Sequence, residues 1–139
     1  MKILAIDFGK ARTGLAICDK AEILASPLCV IPSYNIQKLF DELAQVISVQ
    51  EPDLILVGKP VRTDGRVSDF AIEVDKLSEE LATITDIPIE MYDERFTTVI
   101  ATQKLHANKM KAKSQRAIID AAAAAVLLQS YIDRKKDET

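Results

Sequence analysis

The sequence is short of the side chains that most often stack on bases, bind metals or form redox centres. It has no tryptophan, and aromatic residues make up 5% of its 139 positions, so there is little material for a base-stacking platform. Histidine occurs once, at His106, on a predicted helix near Lys104, and is read as an exposed polar residue without a catalytic role. The two cysteines, Cys18 and Cys29, fall in neighbouring strand-like runs with no Cys-x-x-Cys spacing and no histidine partner. That argues against a metal or redox centre and for buried thiols. No apolar run approaches the roughly 20 residues needed to cross a bilayer, and Lys2 is followed by strand-like sequence rather than a signal-peptide cleavage region. The expectation is a soluble, cytoplasmic protein with no membrane partner.

An excess of positive charge is also missing. The net charge is −3, which taken alone argues against nucleic-acid binding. Its distribution argues the other way. Residues 1–94 carry 9 lysines and arginines against 17 acids, whereas residues 95–139 carry 9 against 4. Between Lys104 and Arg116 there are five basic residues and no acid. Such a stretch is either a solvated helix end or an electrostatic footprint for phosphates. The footprint is favoured because the stretch lies between two acidic motifs described below. With so few aromatics, contacts to a nucleic-acid backbone must dominate.

What is present is a regular alternation of short strands and helices. A chain this long, with 48% hydrophobic residues, supports one well-buried core and not two ordinary domains. Residues 1–134 are read as a single domain and 135–139 as a charged tail that frays. Lys2 to Phe8, Thr13 to Asp19 and Glu22 to Ile31 read as an antiparallel meander. Asn35 to Gln50 places Ile36, Leu39, Phe40, Leu43, Val46 and Ile47 at helical spacing, with Asn35 as cap and Pro52 closing the region. Asp53 to Gly58 is almost wholly apolar, as in a strand buried on both faces. The segment from Gly58 to Arg66 is a loop, Ser68 to Ile84 a helix, and Pro88 to Tyr92 a fifth strand. Helices over Thr97 to Ala107 and Ser114 to Ile132 complete the chain. This order implies a mixed sheet flanked by helices.

Asp7 ends the first apolar run and opens Asp7-Phe8-Gly9-Lys10-Ala11-Arg12-Thr13-Gly14. A carboxylate at a strand tip beside a glycine-bearing hairpin is suited to holding a divalent cation against a phosphate. Further strings stand in order behind it: Gly58-x-Pro60 with Gly65, Asp93-Glu94-Arg95-Phe96-Thr97-Thr98, and Ile119-Asp120-Ala121-Ala122-Ala123 followed by Leu127-Leu128-Gln129-Ser130-Tyr131. Together these resemble the YqgF/RuvX family over essentially the whole chain. The resemblance implies an α/β, ribonuclease H-like fold with a mixed five-stranded sheet in the order 3-2-1-4-5. It also implies a cytoplasmic nuclease that processes the 5′ end of pre-16S rRNA, with Holliday junction resolution as the alternative.

The residues make a physical case beside the resemblance. Phosphodiester hydrolysis is served by one or two Mg²⁺ or Mn²⁺ ions gathered by carboxylates. Asp7 ends the first strand. Asp93 and Glu94 end the fifth, and only one of two adjacent strand residues faces the site directly. Glu94 is preferred for its reach, because the first and fifth strands lie two spacings apart, about 9–10 Å; Asp93 is the fallback, with helix capping as its other reading. Asp120 interrupts an apolar helical stretch, where a lone carboxylate is costly. It is either a third metal ligand or an i, i+4 partner of Arg116. The flanking alanines let that helix lie close to the sheet. Only three acids are found, since Ala123 and Ala124 follow Asp120 at helical spacing and Gly58-Lys59-Pro60 stands at the end of the fourth strand.

Arg12, Lys59, Arg62, Arg66 and Arg95 are the candidates for neutralising substrate phosphates. The expected partner is nucleic acid, pre-16S rRNA ahead of branched DNA, bound by a monomer or homodimer. Two other classes fit parts of the pattern. An ATP-binding domain of the actin, Hsp70 and sugar-kinase type also begins Asp-x-Gly, but such proteins sandwich nucleotide between two domains. A nucleic-acid-binding module without catalysis would leave the acids structural.

Overall fold

Two runs with almost no polar side chains, β1 (Ile3–Asp7) and β4 (Leu54–Lys59), pair in parallel at the middle of a sheet covered on both faces. This is seen in a computed structural model that describes residues 1–60, 68–96 and 112–137, without the side chains of residues 96 and 112–120. Leu4, Ile6, Ile55 and Val57 are buried on one face, and Ile3, Ala5, Leu54 and Leu56 on the other. β2 (Arg12–Cys18) pairs antiparallel with β1, β3 (Ala25–Pro32) antiparallel with β2, and β5 (Ile89–Asp93) parallel with β4. The order is β3-β2-β1-β4-β5, as the sequence reading expects.

Helices cover the two faces. α1 (Ile36–Gln50) buries Leu39, Phe40, Leu43 and Ile47. Asn35 caps its start by accepting from the Lys38 N–H at 3.1 Å, and Glu51 ends it in a left-handed conformation, φ 48°. α2 (Asp69–Ile84) is capped by Ser68, which accepts from the Ala71 N–H, and buries Ala71, Val74 and Leu81. These two helices share one face of the sheet. α3 (Ala112–Asp137) covers the other with Ala124, Leu127, Leu128 and Ile132, above Ala5 and Ala16, which pair across β1 and β2. Small residues on both sides of this contact allow the close approach expected from the alanine run.

α3 starts beyond the carboxyl ends of the parallel strands and finishes beside the β2–β3 connection. There the Gln129 amide accepts from the Ala25 N–H at 2.9 Å and donates to the Ile23 carbonyl at 3.1 Å. The Lys135 ammonium donates to Glu22 at 3.1 Å. These contacts carry the helix past Ile132 to Asp137, so the chain is helical where a fraying tail is expected.

The start of β3 also differs from the expectation. Glu22, Ile23 and Leu24 are not in the strand; Glu22 is left-handed, φ 54°, and the Asp19 side chain accepts from the Ile23 N–H at 3.2 Å. That side-chain bond offers the backbone a turn in place of a ladder, leaving Ile23 and Leu24 exposed. Both thiols are free. Cys18 is buried and accepts from the Ile3 N–H, Cys29 is half-buried, and burial pushes both above the usual thiol range. The helix expected over Thr97 to Ala107 lies outside the described residues.

Candidate active site

Asp7 continues the alternation Ile3, Ala5, Asp7, so it lies on the α3 face of the sheet, at the tip of the central strand. It pairs across β1 and β2 with Gly14. One step past the Ile6–Val57 pair it comes level with Gly58, which in turn pairs with Tyr92. On this face the carboxylate is therefore flanked by glycine on both neighbouring strands. The sequence has only four glycines, and two of them clear the ground around Asp7.

Glu94 opens a single 3-10 turn, Glu94–Phe96, directly after β5. Its side chain leans back across β4. A Cβ added to Gly58 would stand 2.8 Å from Glu94 Oε1, 3.2 Å from Glu94 Cγ and 3.0 Å from Leu127 Cδ2. Glu94 thus occupies the space above Gly58, under α3, on the strand next to Asp7. A long side chain from the end of the fifth strand thus lies over the fourth, crossing a residue that has none. Asp7 and Glu94 are both half-buried.

Asp93 takes the other course. Its Oδ2 accepts from Arg95 Nη2 at 2.7 Å and from Nε at 2.9 Å, and its Oδ1 accepts from the Arg95 N–H at 2.8 Å. These hydrogen bonds hold the Asp93 carboxyl below, and the Arg95 guanidinium above, their ordinary ranges. Of the two adjacent acids, one reaches toward Asp7 and the other is closed into a local ion pair.

The basic candidates divide in the same way. Arg12 shares the α3 face with Gly14 and Ala16 by alternation and is half-buried at the rim. Lys59 lies on the opposite face, its Nζ 3.5 Å from Asp75 of α2. Arg95 is committed to Asp93. Arg62 and Arg66 lie outside the described residues, as does the side chain of Asp120. The α3 backbone does carry residue 120. It stands four positions before Ala124 and seven before Leu127, on the stripe that packs against the sheet, about 10 Å along the axis from Leu127.

The hairpin between β1 and β2 is held firmly. A Cβ on Gly9 would run into the Arg12 carbonyl oxygen, so this tight approach requires glycine. Thr13 and Ser33 share a buried hydroxyl hydrogen bond of 2.7 Å, and the Ser33 N–H donates to the Ala11 carbonyl. Lys10 sits 5.6 Å from the Phe70 ring centroid, tying the hairpin tip to α2. On the far side, the Tyr92 hydroxyl bonds to Ser130 at 2.9 Å and Tyr131 donates to Glu90 at 2.6 Å, joining β5 to α3. Sequence reasoning missed this brace and the clearance role of Gly58. Glycines concentrated at strand tips were the available signal.

Hard carboxylate oxygens suit Mg²⁺ or Mn²⁺ rather than softer metals. The Glu94 carboxylate lying over Gly58, where a Cβ would displace it, is the observation that fits such a group. Among the described residues Asp7 and Glu94 supply two carboxylates, and no set of three His, Cys, Asp or Glu gathers to hold an ion. Asp120, the third ligand expected from the sequence, has its side chain outside the described residues.

An acid at the tip of a central strand, a second reaching it across a glycine, and a helix over the same face, on a 3-2-1-4-5 sheet, define the ribonuclease H-like class. The family model described as "RuvX: Holliday junction resolvase" matches residues 1–134, and the chain belongs to that family. It is 37% identical over 134 residues to a Streptomyces coelicolor protein named "Putative pre-16S rRNA nuclease", covering 96% of this chain and 80% of the relative. A protein of the same name from Phocaeicola vulgatus is 35% identical over 138 residues, with 97% of each chain covered. Among solved structures, Thermus thermophilus RuvC in complex with Holliday junction substrate is similar with a TM-score of 0.65 at 15% identity, over 98% of this chain and 96% of that one. The Fowlpox virus resolvase complex gives 0.57 at 12% identity, over 97% and 99%. These likenesses establish the fold. Among the described residues no helix is long and apolar enough to cross a membrane.

Proposed function

We propose that the protein is a divalent-cation-dependent nuclease that hydrolyses phosphodiester bonds at the 5′ end of pre-16S rRNA in the cytoplasm. The placement of Glu94 over Gly58, on the strand next to Asp7 and on the same face, carries this reading, because two carboxylates on one face of neighbouring strand tips suit a cation that neutralises them. Asp7, Glu94 and Asp120 would hold one or two Mg²⁺ or Mn²⁺ ions, with waters and phosphate oxygens completing the shells. Such ions, when bound, make a water more acidic and stabilise the charge of the leaving oxygen.

The chain's own residues set the stage for that chemistry. Gly14 leaves the β2 side of Asp7 without a side chain, open to a phosphate, while Gly58 makes room for the Glu94 side chain on the β4 side. Arg12 stands at the rim of the same face, placed to neutralise a non-bridging phosphate oxygen. The pinned hairpin and the β5–α3 brace fix Asp7 and Glu94 relative to each other before substrate arrives, which is the positioning that phosphoryl chemistry rewards. The RNA substrate is supported by the names of relatives at 37% and 35% identity. The family description supplies a second reading, cleavage of four-way DNA. One active site suffices to trim an RNA end, in a monomer or homodimer, whereas a junction cut on opposed strands requires a symmetric pair.

The test is to incubate the protein with Mg²⁺ or Mn²⁺ and either an RNA carrying the pre-16S 5′ leader or a four-way DNA junction, with Asp7→Asn as control. Metal-dependent cutting of the RNA, lost in the variant, is the expected result. Symmetric junction nicking would replace the RNA reading with the resolvase. Binding without cleavage of either would support a non-catalytic module.

A further inference from the structure

Tyr34 stands between β3 and α1 with 84% of its surface exposed. Among the described residues it is the one aromatic side chain in open solvent. Phe8 and Phe40 are buried, and Phe70, Tyr92 and Tyr131 are half-buried against the core. Its place before a helix does not account for it. An apolar residue just ahead of a helix cap ordinarily folds back onto the fourth residue of the helix. Here that residue is Leu39, which is buried in the core while the Tyr34 ring stays in water. The backbone, by contrast, is fixed on both sides. Ser33 shares the buried 2.7 Å hydroxyl bond with Thr13 and donates its N–H to the Ala11 carbonyl at 2.9 Å. Asn35 accepts from the Lys38 N–H at 3.1 Å. A ring carried on a pinned backbone and left in solvent gives up little freedom when something covers it.

Register places this ring at the end of the sheet that carries the acids. Asp7 pairs with Gly14 and Gly14 with Val30, so the three form one row across β1, β2 and β3. Arg12 pairs with Pro32, two residues farther out, and Tyr34 follows two residues beyond Pro32. Two strand spacings across and four residues along put the Tyr34 backbone on the order of 15 Å from Asp7, a distance that a few nucleotides of one strand span. Positive side chains flank that path. Arg12 lies midway, Lys10 is at the exposed hairpin tip, and Lys38 stands in the first turn of α1, which holds no acid.

We infer that Tyr34 stacks on one unpaired base of the substrate strand, a few nucleotides from the phosphate that is cut, a reading that rests on the nuclease proposal for the identity of that phosphate. The strand crosses the tips of β1, β2 and β3, from Asp7 past Arg12 to Tyr34. Every base has a π face, so the contact tolerates any sequence. It does require a base that is free of a duplex, and it thereby selects substrates with a single-stranded flank.

The test reads binding alone. The Asp7→Asn protein, with Mg²⁺ present, is titrated into fluorescent single-stranded RNA, and an abasic position is walked along the strand. Tyr34→Ala should weaken binding about tenfold, within the range for one stacked base. Its melting temperature should not change, and because no phosphate contact is lost its dependence on salt should stay the same. Tyr34→Phe, which keeps the ring, should bind as the tyrosine protein does. One abasic position should cost the tyrosine protein the same factor and cost Tyr34→Ala nothing, since ring and base form a single contact. Undiminished binding by Tyr34→Ala, a loss in Tyr34→Phe as large as in Tyr34→Ala, equal sensitivity of both proteins to the abasic walk, or no binding of single strands would each overturn the inference. Since no cutting is read, coupling of ring and base in a chain that proves inactive leaves the stacking contact standing and removes the nuclease, and an active chain without that coupling does the reverse.

Discussion

At the scale of single residues, the site depends on a side chain that is absent. Gly58 gives Glu94 its path over β4. In Gly58→Ala the new methyl meets the ends of two flexible side chains, Glu94 and Leu127, so the fold should survive at a cost of about 1–3 kcal/mol for local overpacking. Glu94 should be displaced by something like an ångström, and such a misplacement can lower turnover on the order of 100-fold. Turnover and melting temperature measured together separate the two effects, and an unchanged rate would remove Glu94 from the machinery. The adjacent acids should separate as cleanly. Glu94→Gln abolishes cleavage with the fold intact, whereas Asp93→Asn loses the ion pair with Arg95 and keeps turnover within a few-fold. The reverse pattern in rate measurements would make Asp93 the ligand. Asp7 is legible in the sequence because a charge at the end of an apolar run must lie at a strand tip. The preference for Glu94 follows from reach alone. The role of Gly58 is not legible, since it is set by neighbours on β5 and α3 that are distant in the chain.

At the scale of elements, local signals and long-range contacts make separate contributions. The caps at Asn35 and Ser68 and the buried central strands can be read from a few neighbouring residues. The termination of α1 is equally local. Glu51 holds a left-handed conformation that costs an L-residue about 1 kcal/mol and glycine little. Glu51→Gly should therefore raise stability by several tenths of a kcal/mol in chemical denaturation, net of the added freedom of the unfolded chain. The early end expected for α3 and the early start expected for β3 fail for one shared reason. Both depend on Glu22 and its surroundings, where Asp19 turns the chain and Lys135 docks from the opposite end of the sequence. Burial alone would raise the Glu22 carboxyl, but hydrogen bonds from Lys135 and from the chain's amino terminus outweigh it and leave it lowered. A depressed carboxyl contributes stability that is present above its unfolded value, near 4.3, and lost as pH falls through the folded one. Lys135→Met should lower the melting temperature at neutral pH and flatten its decline below about pH 4.3, and an unaltered acid limb would mean that Lys135 does not hold Glu22.

At the scale of the whole molecule, the separation of charge raises a question that the net value of −3 conceals. A polyanion meeting the acidic first two thirds of the chain is repelled, and only the last third, with its basic stretch from Lys104 to Arg116, offers steady attraction. The proposed cation site would also lie where acids gather, so on that reading affinity for substrate has to come from elsewhere. Counterion release makes this measurable, since each phosphate contact on a single strand contributes about 0.7 to the slope of log affinity against log salt. The Asp7→Asn protein, binding single-stranded RNA without cutting it, is the appropriate species. Replacing Lys109, Lys111 and Lys113 by glutamine should reduce its salt slope by about 2. If the triple variant keeps the full slope, the basic stretch is a solvated surface. The phosphate contacts would then have to lie outside it, with Arg12 at the rim of the α3 face the first position to replace.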